Sequence, residues 1–183
     1  MRRCFVGSCL SALLIVSCAS TGIPTDPSQG FDPEIHGTLY VHRRTGFSIY
    51  VPAGWRIEDK GQKYRTVMGP SDGKNFPHMG FADEEYYGNL DDYVREMLGN
   101  LALLYGDFRL VADDDFTTDT GLVGRRVTVL GRLRGTSARL RFYLIRNREE
   151  TALLLITGTA PLDSGGSFDG LFDASVRTLY WAR

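Results

Sequence analysis

The stretch Gly46-Phe47-Ser48-Ile49-Tyr50-Val51-Pro52-Ala53-Gly54-Trp55 decides the fold. Phe47, Ile49 and Val51 alternate with Ser48 and Tyr50, so at the two-residue period of a strand the three apolar side chains share one face, which points into a core. Pro52 has φ preset for the second position of a β-turn and Gly54 suits its end, so the chain reverses there and delivers Trp55 and Ile57 to the same core. The expectation is a β-hairpin.

On either side of this stretch the pattern continues as strands. Residues 38–42 form a short β-rich segment carrying Leu39 and Val41, and residues 64–68 and 78–82 are further strand candidates separated by the turn-forming run 69–75. A helix is expected over 90–105. Asn89 can cap it, Asp91 and Asp92 suit the positive end of the helix dipole, and Leu90, Tyr93, Val94, Met97, Leu98, Leu101 and Leu104 repeat at threes and fours, with Gly106 as a left-handed terminator. Residues 108–116, 122–134, 139–147 and 152–159 read as successive antiparallel strands. A last helix should start after a Ser167 cap and place Phe168, Leu171, Phe172, Ser175, Val176 and Leu179 on one side. The fold class this predicts is α+β, a layered α/β/α sandwich around a central, mostly antiparallel sheet of about six strands.

With 183 residues, 43% hydrophobic and 23% charged, the chain suffices for one core. A formal net charge of -1 supplies no global field toward nucleic acid or an acidic membrane, so any electrostatic function must come from local clustering. All three cysteines, Cys4, Cys9 and Cys18, precede the folded part, which therefore carries no disulfide framework.

The amino terminus has its own logic. Arg2 and Arg3 precede an apolar run from Cys4 to Val16, shorter than the roughly 20 residues a spanning helix needs, which is the outline of a signal peptide. Ile15-Val16-Ser17-Cys18 resembles the lipobox of bacterial lipoproteins, a resemblance that implies lipid attachment at Cys18 and cleavage before it. Several acyl chains make a stable anchor, since each buried methylene contributes about 0.8 kcal/mol. Residues 19–34 are rich in Ser, Thr, Gly and Pro and read as a tether holding the domain on the order of 20 to 25 Å from the bilayer. Ala19, in place of the Asp that favours inner-membrane retention in enteric lipoproteins, leans toward the outer membrane. The expected organisation is a signal peptide over 1–17, a lipidated cysteine and tether over 18–35, and a single domain over 36–183.

The opening Gly-Phe-Ser-Ile-x-x-Pro-x-Gly-Trp of residues 46–55, the central helix, the long antiparallel strands and a final short helix with aromatic residues resemble the Mog1/PsbP-like fold over residues 38–181. Members of that group are mostly non-enzymatic binding or assembly proteins, among them accessory subunits of photosynthetic oxygen evolution and a regulator of a nuclear transport GTPase. The resemblance thus implies a non-catalytic role, and no partner-binding residue of the group can be matched onto this chain.

Chemistry in the sequence is sparse. From Gly121 to Arg148 there are eight arginines and no acid, and Arg132, Arg134, Arg139 and Arg141 are expected to gather on one face near a hairpin tip. The planar guanidinium fork suits carboxylates and phosphates, so an anionic envelope component or an acidic protein is the candidate partner. The plainer reading is a solvated face balanced by Asp113, Asp114, Asp115, Glu149 and Glu150. His36, His42 and His78 show no metal-ligand spacing, and Asp83, Glu84, Glu85, Asp91 and Asp92 lack the alternation and central glycine of a calcium loop. There is no glycine-rich phosphate loop after a strand, no Gly-x-Ser-x-Gly elbow, and no thiol beyond Cys18. Catalytic residues, metal and cofactor are therefore not expected, and an envelope location argues against nucleic acid. What remains is a lipid-anchored envelope protein, outer-membrane or periplasmic, that binds or scaffolds. The alternatives are a small-ligand carrier with a pocket between sheet and helix, and a small hydrolase or transferase with an unrecognised site.

Overall fold

The computed structural model describes residues 31–42, 45–59, 66–70, 76–133 and 135–181. The expected signal peptide with Cys18, most of the expected tether, residues 71–75 and Arg134 lie outside the described residues.

Along the chain run β1 (His36–Val41), β2 (Phe47–Pro52), β3 (Trp55–Asp59), β4 (Thr66–Pro70), β5 (His78–Glu85), α1 (Leu90–Leu104), β6 (Gly106–Thr117), β7 (Val123–Leu133), β8 (Thr136–Arg146), β9 (Ala152–Pro161), α2 (Asp169–Arg177) and β10 (Tyr180–Trp181). They build two antiparallel sheets. The larger has seven strands in the order β3-β4-β5-β9-β8-β7-β6, and the smaller has three in the order β1-β2-β10.

The apolar face of β2 is where the alternation puts it, with Phe47, Ile49 and Val51 fully buried. Gly54, at φ 75, takes the left-handed conformation that closes the turn. The expected hairpin, however, does not form. β2 is flanked by β1 and β10, so both of its hydrogen-bonding edges are occupied, and β3 pairs with β4 in the other sheet. The Pro52-Gly54 turn is thus a crossing between sheets. Trp55 and Ile57 still pack on the same core, Trp55 meeting Phe172 edge-on at 6.3 Å between ring centroids.

The sheet of about six strands is corrected to seven plus three. β10 is two residues long, too short to register as alternation, yet it pairs Tyr180 with Ser48 and Trp181 with Phe47. The layering differs accordingly. Alternate residues of β8 and β9 feed two cores on opposite faces of the large sheet. Tyr143, Ile145, Leu154 and Ile156 pack with Phe172 and Val176 of α2 and with the β2 face. Leu140, Phe142, Leu144 and Leu153 pack toward Val94 and its neighbours on α1. One face is therefore covered by α1 and the other jointly by α2 and the small sheet.

Helix α1 starts as expected, the Asn89 Oδ1 accepting a hydrogen bond from the Asp91 N–H at 2.8 Å. Its end differs. Gly106 opens β6, and the left-handed residue after the helix is Asp107 at φ 54. Leu104, expected on the buried face, is 65% exposed, because the helix runs past the core at its last turn.

Helix α2 begins at Asp169 without a side-chain cap, so Ser167 is not its N-cap. Its N–H instead donates to Ser164 in the preceding turn. The helix is fixed by contacts of another kind. A Cβ on Gly158 would lie 2.7 Å from the Phe172 ring, so this glycine lets α2 approach the sheet closely. Ser175 donates to the Tyr50 carbonyl at 2.6 Å, and the Tyr50 N–H donates to the Thr178 hydroxyl at 3.0 Å, tying α2 to β2. No helix among the described residues is long and apolar enough to cross a membrane.

Candidate functional site in the arginine hairpin

The β7–β8 hairpin pairs Arg126 with Tyr143, Thr128 with Arg141, Leu130 with Arg139 and Arg132 with Ser137. Directly opposed residues point to the same side, so Arg126, Thr128, Arg132, Arg139, Arg141 and Tyr143 all lie on the face that carries α2. The structure brings Arg139 and Arg141 together, leaves Arg132 apart, and does not describe Arg134.

The acids that meet Arg139 and Arg141 come from α2. Asp169 and Asp173 stand four residues apart, one above the other on the same helical face. Arg139 grips Asp169 with two donors, Nε to Oδ1 at 3.0 Å and Nη2 to Oδ2 at 2.6 Å. Arg141, only 8% exposed, donates from Nη1 to Asp169 and to the Thr128 hydroxyl, at 3.0 and 3.1 Å, and from Nη2 to Asp173 at 2.7 Å. Its Nε donates to Asp173 Oδ1 and to the Tyr143 oxygen, each at 3.0 Å. Tyr143, fully buried, donates to the same Asp173 oxygen at 2.6 Å, and Arg126 adds a donor to Asp173 at 3.1 Å.

Such a group is costly wherever a buried donor goes unmet, and here the buried atoms of Arg141 and Tyr143 are met while the buried Nε of Arg126, at the edge of the group, has no hydrogen-bond partner. Burial alone would lower the basicity of Arg141, but the hydrogen bond and charge of Asp173, with Tyr143 and Asp169, outweigh it and push its pKa up. Tyr143 is pushed up by burial first and then by Asp173, so it stays a neutral donor. The arrangement clamps α2 onto the sheet by charge, and its guanidinium donors already hold carboxylates.

The remaining arginines are distributed around it. Arg125, on the opposite face, meets Asp113 at 2.7 Å, Asp115 at 3.3 Å and Asp91 at 3.5 Å, which raises its pKa chiefly through the Asp113 hydrogen bond. Arg126 also reaches Asp114 at 3.2 Å, and Arg132 pairs with Asp107 at 3.0 Å while 53% exposed. Residues of β6 thus balance Arg125 and Arg132, α2 balances Arg139 and Arg141, and Arg126 is shared between Asp114 and Asp173.

At the far end of the hairpin, beside the N-terminal end of α1, lies an open depression of about 480 Å³ lined by Asn89, Leu90, Val123, Arg146, Arg148 and Glu150 among others. Arg146 donates to the Gly88 carbonyl, lies over the Tyr86 ring at 5.7 Å and stands 3.6 Å from Glu150. Arg148 makes a single 3.5 Å contact with the Thr120 carbonyl.

The histidines are built into the scaffold. His36 is buried, with Nδ1 accepting from the Asp32 N–H at 2.8 Å and Nε2 against the Ala174 carbonyl at 3.3 Å. His42 stacks on Phe47 and His78 on Phe76. Among the described residues no three potential ligands gather into a metal-sized group.

Asp169, Asp173, Thr128 and Tyr143 were not singled out from sequence. The one signal the sequence carries is the Asp-x-x-x-Asp spacing of Asp169 and Asp173, which puts both carboxylates on one face of the final helix. For the depression no linear signal exists, because Asn89, Val123 and Arg148 meet only through the fold.

No family model matches the chain, and a search of the curated proteins finds no match. Solved structures do resemble it. Cyanobacterial PsbP (CyanoP) from Synechocystis sp. PCC 6803 superposes with a TM-score of 0.57 at 14% identity, over 82% of this chain and 94% of that one. The Ran-binding protein Mog1p of Saccharomyces cerevisiae gives 0.56 at 12% identity, over 80% and 96%. LpqN of Mycobacterium tuberculosis, described as involved in cell envelope biogenesis, gives 0.55 at 13% identity, over 78% and 88%. At these identities the likeness concerns the fold, and the chain has the fold shared by PsbP-like and Mog1-like proteins.

Proposed function

We propose that the protein is a lipid-anchored, non-enzymatic binding or scaffold protein of the bacterial cell envelope, tethered through Cys18 with its domain on the periplasmic or outer-membrane side. The observation that carries this reading is Ile15-Val16-Ser17-Cys18 placed directly after Arg2, Arg3 and an apolar run, and followed by a polar, proline-containing segment. The shared fold supports it, since one of the similar structures belongs to a protein of cell envelope biogenesis. The arginine hairpin supports a scaffold role, because its strongest charges are spent on holding α2.

The test is Cys18→Ala in intact cells. The unsubstituted chain is expected to incorporate labelled palmitate and to sediment with membranes, and the variant to do neither. A variant still cleaved before residue 18 and still sedimenting with membranes would remove the anchor. Crosslinking in the same cells should then capture a stable envelope protein partner of the anchored form.

A further inference from the structure

We propose that the depression between the N-terminal end of α1 and the ends of β7 and β8 binds a small organic anion, a carboxylate or phosphate head joined to a compact apolar body. The inference stands apart from lipid anchoring, because it uses only residues of the folded domain.

A volume of about 480 Å³ falls in the range typical of small-molecule sites. The lining is divided by chemistry. Leu90, Leu122 and Val123 form an apolar side, and Val123 is 64% exposed there, an uncovered aliphatic beside polar groups. Arg146 and Arg148 line the same depression.

The charges point to an anion. Three ionisable groups line the depression, Arg146, Arg148 and Glu150, leaving one positive charge in excess. The two acids in the first turn of α1 are drawn elsewhere, Asp91 to Arg125 at 3.5 Å and Asp92 to Arg95 at 2.8 Å. Glu150 is 74% exposed and stands 3.6 Å from Arg146, whose own side chain is 16% exposed, so the solvated acid is the loose partner and can give way to a better-placed oxyanion. Arg148 carries five N–H donors, of which one makes a long contact with a protein carbonyl, and no carboxylate of the described residues pairs with it.

The turn that carries Arg148 is also fixed. The Asn147 Oδ1 accepts from the N–H groups of Thr151 and Ala152 at 2.9 and 3.1 Å, and its Nδ2 donates to the Thr151 hydroxyl at 3.0 Å, so the turn connecting β8 to β9 is fixed by its own side chain. Arg146 is positioned by the Gly88 carbonyl and the Tyr86 ring. An anionic head would therefore meet donors whose backbone is already ordered, and its apolar body would cover Val123.

The experiment is ligand-observed NMR with the full chain purified from whichever cell fraction holds it. The probes are phenyl phosphate, benzoate and the uncharged benzyl alcohol, and a protein-free sample of the same composition is the blank. At least one anion is expected to bind about tenfold or more tighter than benzyl alcohol, the two anions together showing which head is preferred. Arg148→Ala should weaken that binding about tenfold, Arg148→Lys should restore part of it, and Val123→Glu should abolish it with unchanged circular dichroism. Equal binding of the alcohol and both anions, binding unaffected by Arg148→Ala, or no binding of either anion above the blank would each overturn the proposal.

Discussion

Two regions of one hairpin use the same residue type in opposite ways. In the middle of the β7–β8 hairpin, Arg139 and Arg141 are covered by α2 and answered by Asp169 and Asp173, while beyond its far end Arg148 is exposed with no paired carboxylate among the described residues, and Arg146, 16% exposed, is held by the Gly88 carbonyl and the Tyr86 ring. The sequence places all four within ten residues of one another and gives no sign of the division. What separates them is whether a helix from elsewhere brings acids to the sheet. Arginines answered that way are structural, because removing their partners strands a buried charge. One left exposed at the rim, as Arg148 is, can exchange partners at small cost.

The comparison breaks most directly at Arg141. Arg141→Met is expected to destabilise the domain by about 3 kcal/mol or more, since Asp173 and Tyr143 would keep their burial and lose their central donor. Urea unfolding followed by circular dichroism reads this as a lower midpoint at unchanged slope. Adding Asp173→Asn to Arg141→Met should recover part of the loss, the sign of a coupled pair. A loss under about 1 kcal/mol would mean that the clamp carries no weight. Arg139 and Arg141 would then return to the pool of groups available to a partner.

This division explains how much of the molecule was legible beforehand. The strands of the large sheet were readable wherever apolar alternation is strong, as at Phe47, Ile49 and Val51, because burial imposes the period. The pairing was not. Pro52-Gly54 closes a turn in either case, and only the presence of β1 and β10 on both edges of β2 makes it a crossing between sheets. Similarly, Leu104 matches the helical period of α1 but lies beyond the core's edge, where periodicity says nothing of depth. For the candidate site, the face shared by Arg132, Arg139 and Arg141 follows from period two, whereas the separation of Arg132 from the other two depends on the reach of α2.

A smaller effect sharpens the inner region. Tyr143→Phe should cost about 1 kcal/mol, because Asp173 keeps its Arg141 and Arg126 donors when the phenol is removed. The pH dependence reports how far burial and Asp173 together hold the phenol in its neutral form. The folded-state pKa of Tyr143 lies above its ordinary value of 10.0, first through burial and then through Asp173, so its stabilisation is complete below about 10 and is lost as pH rises beyond that value. Tyr93, raised by burial and by its hydrogen bond to Glu84, adds to the same alkaline loss. Unfolding midpoints measured on either side of pH 10 should fall more steeply with pH in the parent than in Tyr143→Phe. Parallel slopes would show that folding does not hold the phenol in its neutral form.

The smallest effect lies at Arg132, the one described member of the expected arginine group that α2 does not reach. Its partner Asp107 is 74% exposed and Arg132 itself 53%, so the pair is solvated on both sides, is screened by salt, and gives back in side-chain order most of what it gains in attraction. Arg132→Ala should therefore change stability by less than about 0.5 kcal/mol, and the change should vanish in high salt. The expected match is with Arg148→Ala, another exposed arginine at the opposite end of the hairpin. Asp107, however, holds a left-handed backbone at φ 54 directly after Gly106, which pairs with Arg132 across the strands. If Arg132→Ala costs about 1 kcal/mol or more and the cost persists in salt, the ion pair is holding that backbone turn in place. The boundary between structural and exchangeable arginines would then follow what each carboxylate's backbone requires, and burial alone would no longer predict it.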